Sequence, residues 1–214
     1  MTLIDEIYTV LRKKILKAEL SENEKLSENS LADEFGCSRV PVREALKRLE
    51  RDGFVKIKPY SGSYVTEPTL KDFLEQTEVR AYLEALALRL ACEKKIDTHS
   101  LEDILKKMDE IILQDEIDIL SFSDLHYQFH RTIVDLSGND LLSSIYSKMN
   151  FNTASQTFYQ CAQERDEFKT MQEQHWKIVE LIKTRNVKQG VEYIMEDHLW
   201  KKRELFRKQI DNGK

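Results

Sequence analysis

The chain has 214 residues, of which 33% are charged, and it carries a net charge of −5 with only six glycines and three prolines. That length allows two domains, and the scarcity of Gly and Pro leaves little room for loops and favours helix. The acidic balance excludes a protein that is basic over its whole surface. Three cysteines, Cys37, Cys92 and Cys161, lie far apart with no C-x-x-C pair. This excludes a disulfide framework or a zinc knuckle and suits a reducing compartment. No run of 18 apolar residues occurs, and the start MTLIDEIYTVLRKK reads as an amphipathic helix rather than a signal peptide. A cytoplasmic protein without a membrane partner is expected.

In chain order, Ile4, Ile7, Tyr8, Leu11 and Ile15 recur at spacings of three and four and predict a first helix. The segment AELSENEKL breaks that pattern. Ser27 then predicts the cap of a short second helix that buries Leu31, Ala32 and Phe35 and ends at Gly36. Ser38 predicts the cap of a third helix, with Val42, Ala45, Leu46 and Leu49 inward and Asp52-Gly53 as its stop. FVKIK and SYVTE alternate around PYSG and predict a two-stranded hairpin. Three helices and a hairpin make a winged helix-turn-helix domain over 1–67. The remainder, 68–214, reads as helix throughout: near 70–94, 99–115, 119–137, 140–163, 167–184 and 187–210. These six make an antiparallel bundle. The predicted fold is mainly α.

The third helix carries unusual chemistry at its start. Arg39 and Arg43 stand four residues apart, with Pro41 in the first turn, where no intrahelical hydrogen bond is lost. An arginine fork takes both acceptors of a guanine edge, and a recognition helix presents its N-terminal end to the major groove. Ser38 and the unpaired N–H groups of the first turn suit a phosphate. From Gly36 to Tyr60 there are seven Lys or Arg against three acids, a local excess of positive charge on an acidic chain. Lys47, Arg48 and Arg51 read equally well as a solvated face. The hairpin tip Tyr60-Ser61-Gly62-Ser63 reads either as a minor-groove contact or as an ordinary turn.

Residues 7–66, through KLSENSLADEFGCSRVPVREALKRLERDGFVKIKPYSGSYV, resemble the winged-helix domain of the GntR family of bacterial transcription regulators. The resemblance implies DNA contacts from Asn29, Ser38, Arg39, Arg43 and Gly62. Asn23 stands where the family's turn usually has glycine, and Tyr60-Ser61 stands where a basic residue is common.

Four of the five histidines fall on apolar stripes of the second domain. His126 and His130 share one helix face at i, i+4. His175 lies on the stripe of Ile178, Val179 and Ile182, and His198 on that of Val191, Ile194 and Leu205. Four inward imidazoles suit a borderline divalent metal such as zinc or nickel. Hydrogen-bonded core histidines are the other reading.

The segments EVRAYLEALALRLA, HYQFHRTIVDLSGND, EQHWKIVELI and MEDHL resemble the FCD-type ligand-binding domain of the FadR-like branch. That resemblance implies one Asp and three His as metal ligands. His126 occupies the position of the Asp, and the three histidines match His130, His175 and His198. It also implies a small carboxylate effector, often a sugar acid, held beside the metal by Arg80. Taken alone, Arg80 equally predicts a salt bridge to Glu84 or Glu78.

The expectation is a ligand-responsive transcription regulator, a repressor of a catabolic operon, acting as a homodimer on pseudo-palindromic operator DNA. A DNA-binding regulator with no metal-dependent effector is the alternative. A metalloenzyme is disfavoured, because HYQFH lacks the glutamate of HExxH enzymes and no nucleophile–base constellation is present.

Overall fold

The computed structural model describes residues 2–67, 69–149 and 165–198. Cys161, Leu205 and the parts of the predicted helices within 150–164 and after 198 lie outside the described residues. The chain divides into two compact units, the first ending at Thr69 and the second beginning at Leu70.

Helix α1 (Leu3–Leu16) opens the first unit. Thr2 caps it: the Thr2 hydroxyl accepts from the Asp5 N–H, and the Asp5 side chain accepts from the Thr2 N–H. Strand β1 (Lys25–Leu26), α2 (Glu28–Glu34), α3 (Arg39–Arg51), β2 (Val55–Lys58) and β3 (Gly62–Val65) follow. Ile7, Leu11 and Ile15 of α1 face Val42, Ala45, Leu46 and Leu49 of α3, all fully buried or nearly so. Each large aliphatic side chain so buried contributes about 1.5–3 kcal/mol. Ser27 caps α2 as expected, accepting from the Ser30 N–H.

Three expectations are corrected in this unit. The sheet has three strands in the order β1-β3-β2, not two. β1 pairs Lys25 with Tyr64 and is two residues long, too short to show an alternating pattern. Phe35 is half-buried at the C-cap of α2 rather than in the core. Ser38 does occupy the N-cap position of α3, but its side chain makes no capping hydrogen bond. Asn23 keeps the left-handed backbone that a glycine would supply, with φ +60°, and its N–H donates to the Val65 carbonyl. Asparagine tolerates that conformation better than other side chains do.

The second unit is helical: α4 (Leu70–Lys94), α5 (His99–Leu113), α6 (Ile119–Leu136), α7 (Asp140–Lys148), α8 (Arg165–Lys183) and α9 (Val187–Glu192), which runs into a π-helical turn at Tyr193–His198. Asp118, Asn139 and Asn186 cap α6, α7 and α9 through their side-chain oxygens. α6 packs against α4 and α5, α8 against α5, and α9 with the π-helical turn against α4. Leu88, Leu101, Leu105, Met108, Phe122 and Phe129 form the centre of this core. The predicted helix over 140–163 does not continue as one piece, because Met149 is extended and closes α7. The last predicted helix changes its winding at Tyr193. A Cβ on Gly190 would fall 2.4 Å from Leu88 Cδ2. The missing side chain therefore lets α9 lie against α4, and that approach positions the π-helical turn carrying His198. Among the described residues no helix is long and apolar enough to cross a membrane.

The polar contacts between α1 and α3 lead to a pH prediction. Arg48 Nη1 lies 2.8 Å from Asp5 Oδ1, its guanidinium covers the Tyr8 ring at 4.1 Å, and the Tyr8 hydroxyl donates to Asp52 at 2.7 Å. The Thr2 N–H and hydroxyl, then Arg48, lower the Asp5 pKa from 3.8 to about 2. A depressed carboxyl pKa adds stability above the unfolded value that is lost as pH falls through the folded one. Asp5→Asn is therefore expected to flatten the acid dependence of unfolding between about pH 4 and pH 2. Urea midpoints measured across that range check this.

Candidate functional site

The first unit brings the sequence-selected residues to its surface. Asn29 on α2 and Ser38, Arg39 and Arg43 at the start of α3 are all exposed. Val40, between them, is 66% exposed. Gly62 opens β3, next to a tip where Tyr60 is fully exposed at φ +60°. The fork of Arg43 is already engaged: Nε and Nη2 reach Glu28 of α2 at 2.9 and 2.6 Å. This pair lowers the Glu28 pKa, chiefly through the Arg43 hydrogen bonds. Lys25 and Lys58 lie over the Tyr64 ring at 5.9 and 4.6 Å, adding positive charge to the strand face. Glu28 was not picked out from sequence as a partner of Arg43. The two stand 15 residues apart, and only the α2–α3 turn brings them together.

The second unit gathers all four selected histidines. His126 and His130 come from α6, His175 from α8 and His198 from the π-helical turn. Three are fully buried, and His126 is 5% exposed. Ring centroids lie 4.9 Å apart for His126–His175, 5.0 Å for His126–His130 and His175–His198, and 5.2 Å for His130–His198. One nitrogen from each of His126, His130 and His175 falls within 4.8 Å of the others. The Nε2 atoms of His126 and His130 are 3.2 Å apart. Two nitrogens sharing an ion at about 2.1 Å stand about 3.0 to 3.4 Å apart in octahedral or tetrahedral geometry. The donor set thus fits a borderline divalent ion, and the triad could hold one. Asp124 and Glu173 are exposed.

Arg80 is buried and paired with Glu84. Its Nε lies 2.5 Å from Glu84 Oε1, and the two side chains are 9% and 2% exposed. The Tyr146 hydroxyl donates to the same Oε1 at 2.8 Å. The other oxygen, Oε2, lies 2.8 Å from His130 Nδ1. Burial alone would lower the Arg80 pKa, but Glu84 and Tyr146 outweigh it and raise it. Burial, followed by the Glu84 charge, pushes the Tyr146 phenol well above its usual value and keeps it a hydrogen-bond donor. The Arg80–Glu84 pair was one of two readings open from the sequence. Tyr146 gave no signal, because its reach to Glu84 spans 62 positions.

Comparison with known proteins matches residues 3–65 to the bacterial regulatory proteins of the gntR family and residues 75–200 to the FCD domain. The chain belongs to the GntR family of transcription regulators and carries an FCD domain. It is 31% identical to the uncharacterized HTH-type transcriptional regulator YdhC of Bacillus subtilis over 68% of this chain and 65% of that one. It is also 31% identical to the regulator LutR of Bacillus subtilis, over 64% of this chain and 68% of the relative. A third relative, the gluconate operon transcriptional repressor of Bacillus subtilis, is 31% identical over 65% of this chain and 57% of its own length. Against YdhC and the Nta operon regulator of Aminobacter aminovorans, the chain spans 65% and 59% of the relative, less than two thirds. Two solved structures share the fold: a GntR regulator from Rhodococcus sp. RHA1 and McbR/YncC from E. coli. The first has a TM-score of 0.74 at 19% identity, covering 99% of this chain and 98% of its own. The second has a TM-score of 0.71 at 19% identity, covering 98% and 99%. These families and relatives are regulators, not enzymes.

The buried pair makes a prediction that separates a structural arginine from one held in reserve for a ligand. Arg80→Met strands the Glu84 carboxylate, and removing one partner of a buried pair costs about 3–5 kcal/mol. Thermal unfolding of the ligand-free variant is expected to show that loss. An unchanged midpoint would leave Arg80 with a ligand-binding role alone.

Proposed function

We propose that the protein is a ligand-responsive repressor of a catabolic operon. In this reading α3 enters the operator's major groove, and a divalent metal within the histidine cluster takes part in sensing a small carboxylate. The family supports regulation through DNA, and the exposed Ser38–Arg43 end of α3 is the observation that carries the DNA reading. Arg39 and Arg43 serve as base-reading forks, with Ser38 and Asn29 on phosphates and Gly62 at the wing. Arg43 exchanges Glu28 for the base edge on binding. An operator-binding protein acts beside the chromosome, in the cytoplasm.

The buried triad of His126, His130 and His175, with the His198 ring packed against His130 and His175, supports the metal, zinc or nickel by the chemistry of the donors. A divalent ion held there would supply a Lewis-acidic centre for carboxylate oxygens. The chain's own part is to hold four imidazoles away from water and to keep their ring orientations. Arg80 enters the site through Glu84, so its contribution to a carboxylate effector requires that pair to rearrange. That a relative represses a gluconate operon, whose substrate is a sugar acid, supports both the repressor role and the effector class. A homodimer is supported by an exposed apolar line along α4, where Val79, Tyr82 and Leu86 are 43%, 63% and 40% exposed at helical spacing. Effector and operator are coupled through differential binding to two states of the chain.

Two experiments test this reading. Arg39→Ala and Arg43→Ala are each expected to lower affinity for a selected operator by about tenfold to a hundredfold, with unchanged helical content. Equal affinity in both variants would remove α3 from the interface. Elemental analysis of untagged protein should find one zinc or nickel per chain, lost in the His130→Ala/His175→Ala variant. Absence of metal after reconstitution would favour the second reading, a regulator whose effector needs no metal.

A further inference from the structure

The three-stranded sheet of the first unit has two unlike faces. Leu26 of β1, Val55 and Ile57 of β2 and Ser63 and Val65 of β3 alternate onto one face, and all but the half-buried Ile57 are at most 5% exposed. The other face takes the residues between them. Pairing puts Lys25 and Lys56 on either side of Tyr64, and Lys58 opposite Gly62. Residues directly opposite on paired strands share a face, with Cβ atoms about 5 Å apart. Lys25 and Lys58 extend over the Tyr64 ring, their Nζ atoms 5.9 and 4.6 Å from its centroid, and the Tyr64 hydroxyl is tied to Ser61 Oγ at 2.7 Å. Gly62 leaves room for Lys25 to cross the hairpin, since a Cβ there would fall 3.2 Å from Lys25 Cε. All three lysines are exposed, and among the described residues none of them forms an ion pair. No acid occupies a strand position on this face. Like charges on neighbouring strands repel, and a bound anion relieves that repulsion.

We propose that this sheet face binds the backbone of duplex DNA: Lys25, Lys56 and Lys58 neutralise phosphates flanking the bases read by α3, and Tyr64 holds two of the ammonium groups in place. The partner follows from the chemistry. A lysine ammonium is a point charge on a flexible stem, which neutralises a phosphate without reading a base edge. The three stems rise from both outer strands, about 10 Å apart, a spread that fits a line of phosphates and not one small anion. The face also continues into the DNA-facing end of the unit. Lys25 stands two residues before Ser27, the cap of α2, and the first turn of that helix carries Asn29. The hairpin tip, Tyr60-Ser61-Gly62, has no charge of its own, so the positive charge of the hairpin lies on its sheet face. This surface goes beyond base reading by α3 and rests on the DNA reading given above only for the identity of the partner.

The test is the salt dependence of binding. Full-length Lys25→Gln/Lys56→Gln/Lys58→Gln is titrated, over a series of salt concentrations, with a mixed-sequence duplex and with an operator that the wild type selects from random DNA. Each lost phosphate contact lowers the slope of log affinity against log salt by about 0.9, so the triple variant is expected to be shallower by about 2 to 3. At about 0.1 M salt its affinity is expected to fall about a hundredfold, by the same factor on both duplexes. Lys25→Arg/Lys56→Arg/Lys58→Arg keeps the charges and is expected to keep the wild-type slope. An unchanged slope in the glutamine variant, a loss confined to the operator, or an equal loss in the arginine variant overturns the proposal. Wild-type operator affinity in Arg39→Ala and Arg43→Ala removes α3 from the interface by itself, and the lysine slopes still decide the sheet face. A wild-type protein that binds neither duplex overturns both readings.

Discussion

A carboxylate removed from water is the constraint on which the second unit depends. Glu84 is 2% exposed, and taking such an ion out of water costs several kcal/mol unless donors converge on it. The groups around it come from three helices. Arg80 lies one turn earlier on α4, His130 is on α6 and Tyr146 is on α7. Each must be in register to reach the carboxylate, Arg80 and Tyr146 by hydrogen bonds to Oε1 and His130 Nδ1 at 2.8 Å from Oε2, outside hydrogen-bond geometry. The same requirement fixes the face of α6 that points inward, and that face carries His126 as well as His130. Core packing and the geometry of the histidine cluster are thus one problem. Gly190 adds a second condition, since the approach of α9 to Leu88 sets where His198 enters.

The first unit solves a different problem. Its core is apolar apart from Arg12, whose guanidinium lies over the Phe54 ring, and most of its charges lie at the surface, where they are screened. Arg48, Asp5, Tyr8 and Asp52 tie α1 to α3 along one edge, while Arg43 and Glu28 tie α2 to α3 at the other. Contacts of this kind hold side chains in place without sealing them away. That suits the proposed exchange of the Arg43–Glu28 pair for DNA. The interior of the second unit shields its imidazoles from water, in a triad that could hold a metal ion.

Much of this was legible in the chain itself. Apolar spacing placed α1 and α3, and the run Val42, Ala45, Leu46, Leu49 is buried as its period requires. Motifs at the start of α3 and the four histidines led to the family, which the comparisons show. Other features left no local trace. A strand of two residues has no period, so β1 emerged only from its pairing with β3. The change to π-helical winding at Tyr193 follows from packing, and a 3.6-residue stripe does not announce it.

The sequence by itself determined which residues face inward and which chemistry they bring. Periodicity is a local property, and four histidines on apolar stripes already predict a buried cluster. Tertiary structure alone decided what those groups do to one another. Arg80 could have met a ligand, Glu78 or Glu84, and the fold turned it to Glu84. Glu84 in turn meets Tyr146, 62 positions away, and His130. Such contacts depend on how helices pack across the core. Only the packed unit, by excluding water, makes each donor's direction matter.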